Sequence, residues 1–161
     1  SVEVILVDEE EIIMQNNDSF VERFNSITER LNRNLEQKEE KKLLYIIIGV
    51  DKFLNNLGTE KELFTMNVNS AKMCNNCNFI LIDVASKIKS HQFDSWYKQY
   101  VVAGTGIYIG NGFDSQFAIA YEADRKDIKT KCGNSFGYVV KRSKPQLVKL
   151  LGLEEKGEED E

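Results

Sequence analysis

The chain holds 161 residues, 42% of them apolar and 29% charged, with one proline; this suits a single globular domain with one core and excludes a disordered or fibrous chain. Its 26 acids outweigh 21 bases for a formal net charge of −5, which argues against a surface that grips phosphate backbones throughout. No apolar run approaches the roughly 20 residues that span a bilayer, and no basic region followed by an apolar segment opens the chain, so neither insertion nor signal-directed secretion is expected.

The opening VEVILVD is a compact apolar run closed by Asp8 and reads as a buried strand. Because it begins in mid-strand, the chain is expected to be a fragment of a longer one. Phe20, Phe24, Ile27, Leu31 and Leu35 then recur at helical spacing. They mark one face of a long helix, with Ser19 and Glu22 as its capping box. KKLLYIIIGV is apolar on both faces, the pattern of a central parallel strand covered by helices on both sides. A second capping box, Thr59 with Glu62, precedes a helix whose expected apolar stripe is Leu63, Met66, Ala71 and Cys74. NFILIDVAS repeats the pattern of strand then acid with Asp83, and SHQFDSWYKQYVV follows with helical spacing. The order strand, helix, strand, helix, strand is a βαβ rhythm.

The last third changes to short apolar strands, GIYI and SFGYVVKRSKPQLVKLL, set between Gly, Asn, Ser and Pro turns. These read as antiparallel hairpin additions to the sheet. The domain is expected to run from residue 1 to 152, with 153–161 an acidic disordered tail.

For phosphate chemistry, the pattern G-x-x-x-x-G-K-[ST] would cradle phosphates with backbone N–H groups, yet no glycine here precedes a lysine. Gly104, Gly106, Gly110 and Gly112 read as turn residues. Asp51, at the end of a large apolar run, fits the second half of such a site, where an acid holds magnesium through water beside the phosphates. Its neighbour is Lys52 rather than a second acid. Asp51 could instead cap the short helix KFLNN.

Cys74 and Cys77 form a CxxC at a helix C-terminus, where the dipole has the wrong sign to lower a thiol pKa. Together with Cys132 they make an odd count that reads as reduced thiols. His91, the one histidine, is expected in the first turn of a helix, without a serine or cysteine nucleophile. Lys87, Lys89, Lys141, Arg142 and Lys144 read as solvated surface. Phe93, Trp96, Tyr97 and Tyr100 form an aromatic stripe that suits either ordinary core or a partner groove, since Trp and Tyr are common interface anchors. No residue is marked as catalytic.

In this order, VILVD, FVERFNSITERLN, YIIIGVDKF, NFILIDVAS, GIYIGNGFDSQ and FGYVVKRSKPQLVKL, the sequence resembles the C-terminal ATPase-type domain of the coupling proteins of type VIIb secretion, the EssC/EccC branch of the FtsK/SpoIIIE motor family. The resemblance covers nearly the whole chain. It implies a RecA-like, P-loop NTPase-type α/β fold with a mostly parallel sheet, and it places Asp51 at the Walker B position. The missing phosphate loop and Lys52 imply a degenerate domain that does not hydrolyse ATP. ATP and magnesium would require residues upstream of Ser1, in which case the domain would be an active motor; a DNA-translocating module is the third alternative. The family implies partners among secreted WXG100-type substrates and the neighbouring ATPase domains of a longer chain, and a hexameric assembly of the full protein; the acidic net charge argues against nucleic acid. It also implies a place at the cytoplasmic face of the membrane through an anchor elsewhere in that protein. An amphipathic helix laid into an apolar groove is one physical way to read a secretion signal, and the stripe Phe93, Trp96, Tyr97 and Tyr100 is its candidate.

Overall fold

The computed structural model describes residues 2–7, 42–73, 77–129, 131–133 and 135–150, with 29, 33 and 36 standing singly. Of the long helix expected from Ser19, only Glu29, Arg33 and Glu36 are described; Glu29 and Arg33 are helical, their charged groups 4.0 Å apart as an i,i+4 pair, and Glu36 lies in a turn. The rest of it, Asp8, Cys74 and the tail 153–161 lie outside the described residues. The chain divides into two compact units, Ser1–Val102 and Ala103–Glu161. Each is mixed or all-strand in its own way, and together they make the protein an α/β chain with two separate three-stranded sheets. No described helix is long and apolar enough to cross a membrane.

The first unit is built on β1 (Val2–Val7), β2 (Lys42–Ile48) and β3 (Cys77–Ile82), all parallel and in the order β1-β2-β3. Between β2 and β3 run α1 (Val50–Leu57), a 3-10 turn at Gly58–Glu60 and α2 (Lys61–Met73). After β3 come two six-residue helices, α3 (Ala85–Ser90) and α4 (Ser95–Tyr100).

Side chains alternate across a strand, so the register sorts the sheet into two faces. Leu43, Tyr45, Ile47, Cys77, Phe79 and Val7 enter the core with Phe53, Leu54, Phe64, Val68 and Trp96. Phe64 sits at its centre, edge-on to Phe53, Phe79 and Trp96 at centroid distances of 5.5, 6.2 and 5.8 Å. Among the described residues the opposite face is less buried. Leu6 pairs in register with Ile46, which pairs in turn with Ile80, and Val4, Leu6, Ile80 and Ile82 are all 45% exposed or more. Burial of β2 on both faces, expected from its sequence, therefore holds only for one face among the described residues; the other is half-buried.

In α2 the buried positions are Phe64, Asn67, Val68 and Ala71. Of the expected stripe, Ala71 is buried and Leu63 packs partly against the core, but Met66 faces solvent, and Phe64, Asn67 and Val68 are buried instead. An i, i+3, i+4, i+7 stripe was present all along, but its second member is the polar Asn67. Thr59 does not open this helix, because the 3-10 turn runs directly into it.

In the second unit, β4 (Gly106–Ile109), β5 (Phe136–Lys141) and β6 (Lys144–Lys149) form an antiparallel meander of their own. These strands are not additions to the parallel sheet, as the turn-rich sequence suggested. Phe113, Ile128, Tyr138 and Val140 make its core, with Phe113 stacked on Tyr138 at 4.3 Å. Arg142 and Ser143 turn the β5–β6 hairpin with φ of 53° and 62°, the two positive values that a type I′ turn demands. The tip is received at Gly104, whose carbonyl accepts the Ser143 N–H at 2.8 Å.

Candidate functional site

The residues with chemical character gather in the first unit, where β2 and β3 end. Gly49 follows β2 with φ 77° and ψ 51°, a left-handed conformation costly for any residue with a Cβ. Its N–H donates to the Ile82 carbonyl at 2.9 Å, which carries the β2–β3 ladder one step further. The chain then enters α1 at once, so Asp51 lies in the first turn of a helix, where a carboxylate is favoured by the helix dipole.

Gly49 supplies no side-chain cap to α1, and the first N–H groups of a helix lack partners within it. Asp83, just past β3, fills the gap from outside. Its Oδ2 accepts the Asp51 N–H at 2.8 Å and its Oδ1 accepts the Val84 N–H at 2.7 Å. The capping role expected of Asp51 therefore belongs to Asp83, and Asp51 is the capped residue.

The carboxylate of Asp51 has another use. His91 Nε2 lies 3.1 Å from Asp51 Oδ1, and His91 Nδ1 lies 2.8 Å from Asp94 Oδ2. His91 is only 6% exposed and its ring packs against Trp96 at 5.5 Å between centroids. It is not in a helical first turn but in the turn that follows α3. Asp94 Oδ2 also receives the Trp96 Nε1–H at 3.3 Å and faces Lys61 Nζ at 3.6 Å. Burial pushes the Asp94 carboxyl up, but the bond from His91 and the charges of Lys61 and His91 outweigh it, and the net shift is downward.

Ionised carboxylates only accept hydrogen bonds, and a neutral imidazole has a single N–H. Both contacts of His91 are thus hydrogen bonds only when the ring carries two protons. Asp51, His91, Asp94 and Lys61 then form a chain of alternating charge that links α1, the α3–α4 turn and the start of α2.

The aromatic stripe divides by burial. Trp96 is 1% exposed and belongs to the core, while Phe93 is 75% exposed with Lys98 Nζ 5.9 Å above its ring. The Tyr100 hydroxyl accepts the Phe79 N–H at 2.9 Å and donates to the Phe79 carbonyl at 2.6 Å. This covers the outer edge of β3, which has no neighbouring strand among the described residues. Burial raises the pKa of Tyr100, against the lowering effect of the Phe79 bond, and burial also raises that of Tyr97. The helix is too short to present four aromatics on one open face: it starts at Ser95, leaving Phe93 in the turn before it.

Gly104, Gly110 and Gly112 have positive φ and serve turns, and Gly106 lies in β4; none belongs to a loop bearing a lysine for phosphate. Asp51 Oδ1 faces the buried His91 ring. Among the described residues no group of three or more His, Cys, Asp or Glu is placed to hold a metal ion. Cys77 is buried at the start of β3, and Cys132 donates to the Gly110 carbonyl at 3.1 Å.

Sequence reasoning singled out Asp51 and His91 separately but not their pairing, which spans 40 positions. Asp94 was missed altogether, although an aspartate three residues after a histidine is within reach in any turn. No protein-family model matches the chain, no curated protein matches it, and no solved structure matches it.

Proposed function

We propose that the chain is a degenerate ATPase-type domain of a type VII secretion coupling protein, which holds secreted substrate proteins and does not hydrolyse ATP. The observation that carries this reading is the bond between Asp51 and His91. An acid poised for magnesium must keep its oxygens open to the ion's water shell, and here one oxygen faces a buried ring. The three parallel strands with Asp51 and Asp83 after the second and third are, in this reading, part of a RecA-like sheet. Ligands of open α/β sheets approach such strand ends.

The protein-holding half is supported by the aliphatic surface of Val4, Leu6, Ile80 and Ile82, since contiguous exposed apolar surface of this kind is what partners cover. In the longer protein the domain would work at the cytoplasmic face of the membrane, held there by an anchor outside this chain. The test is fluorescence anisotropy with labelled C-terminal helical segments of WXG100-type substrates. Saturable binding, weakened by Leu6→Asp or Ile80→Asp in a folded chain, is expected. No binding to any such segment, together with ATP turnover by the chain, would contradict the proposal.

A further inference from the structure

The tip of the β5–β6 hairpin breaks two local rules at once. Lys141 and Lys144 pair directly across the strands, and like charges set opposite each other weaken a hairpin. Between them Arg142 and Ser143 hold φ of 53° and 62°, a turn that Asn-Gly forms with far less strain. Violations of this kind collect where a surface has a task.

The second unit holds that tip in place. Ser143 donates its N–H to the Gly104 carbonyl at 2.8 Å, and its own carbonyl accepts the Glu122 N–H at 2.7 Å. Gly104 has φ 74°, and a Cβ there would stand 2.8 Å from the Ser143 nitrogen, so a glycine is what lets the tip come this close. Lys141, Arg142 and Lys144 are all exposed and form no ion pair among the described residues. Lys126, in the same unit, already faces Asp124 at 3.4 Å. Three cations are thus presented on an anchored turn without a counter-charge.

The sequence carries a matching anion. Residues 103–150 hold eight Lys and Arg against four Asp and Glu, whereas 151–161 hold six acids against one lysine. We propose that the hairpin tip, 141–144, is an anion-binding surface whose occupant is the chain's own acidic segment 158–161. β6 leads away from the tip as far as Leu150, whose N–H still donates to the Ser135 carbonyl at 2.8 Å; at the rise of a strand this is about 20 Å from Lys144. Residues 158–161 follow eight to eleven positions later, and eight extended residues cover about 27 Å. The segment therefore has the reach to return to the tip.

Tethering keeps these carboxylates at an effective concentration in the millimolar range. That suits contacts between exposed charges, which are individually weak and screened by salt. A free anionic ligand meets the tip only by displacing the segment. This surface is independent of the proposed function, which rests on the first unit.

The test is zero-length carbodiimide coupling of the full chain at micromolar concentration, which joins a lysine amine to a carboxylate in contact with it, read by peptide mass spectrometry. Expected are links within one chain from Lys141 or Lys144 to 158–161, outnumbering those from Lys126 by about fivefold or more, because exposed charges interact only at short range. In about 0.5 M NaCl, where the Debye length is about 4 Å, their yield should fall about fivefold. Arg142→Asn keeps a residue that tolerates positive φ and removes one cation, and should lower the yield about twofold. No link from the tip to the segment, links spread evenly over the lysines, links between two chains only, a yield indifferent to salt, or an unchanged yield in Arg142→Asn would each overturn the proposal. Should Arg142→Asn fail to fold, the wild-type chain in low and high salt decides it alone.

Discussion

His91 and Asp51, 40 positions apart, meet at 3.1 Å where the central parallel strand gives way to its helix. A double-mutant cycle on Asp51→Ala and His91→Ala measures what this meeting contributes. At about pH 6 a coupling energy of about 1 kcal/mol is expected from chemical denaturation. Effects that simply add would show the two groups to be independent.

Asp94 sets the acid side of the same network. Its carboxyl titrates below the ordinary range despite burial, because His91 and Lys61 favour its charged form. A lowered folded pKa contributes stability above the unfolded value, and the contribution is lost as pH falls through the folded one. Wild type should therefore lose stability more steeply than Asp94→Asn as pH falls below the ordinary aspartate value of about 4. Parallel acid limbs in denaturation curves would contradict this.

Trp96 and Phe93 should part company on substitution. Trp96→Ala empties a fully buried site and is expected to cost about 3–5 kcal/mol of folding stability. Phe93→Ala should change it by no more than about 0.5 kcal/mol. Tyr100→Phe falls between, at about 1 kcal/mol, because Phe79 loses the hydroxyl that serves both its N–H and its carbonyl. Equal effects of Trp96→Ala and Phe93→Ala in thermal unfolding would overturn the assignment of the stripe.

Gly137 has a steric role in the second unit. A Cβ there would stand 2.5 Å from the Tyr108 carbonyl oxygen in the neighbouring strand. Gly137→Ala must push β4 and β5 apart, at about 1–3 kcal/mol. Hydrogen exchange should show the loss concentrated in the β4 amides; unchanged protection there would contradict the argument.

The strands and acids were legible because long apolar runs ending in Asp leave little choice of structure. β2, β3 and the β5–β6 hairpin lie where the sequence put them, with Asp51 and Asp83 just beyond their strands. What could not be read depends on distance in space. On α2 only Met66 was misplaced, because Asn67 is buried in an apolar row and polarity alone sent it outward. The width of the aromatic stripe suggested a groove, yet α4 is only one and a half turns long and draws Trp96 into the core. The pairing of His91 with Asp51 needs the chain to return past β3, which no local pattern reveals. Division of the strands into two sheets was hidden for the same reason: hairpin signals give the partners within a meander, not the edge to which it attaches.

Calorimetric titration of the chain with magnesium and ATP tests the central claim most directly, because Asp51 cannot serve both His91 and a nucleotide-bound ion. The expected result is no saturable heat at millimolar ATP and the same trace for Asp51→Asn. Magnesium-dependent binding that disappears in Asp51→Asn would contradict it.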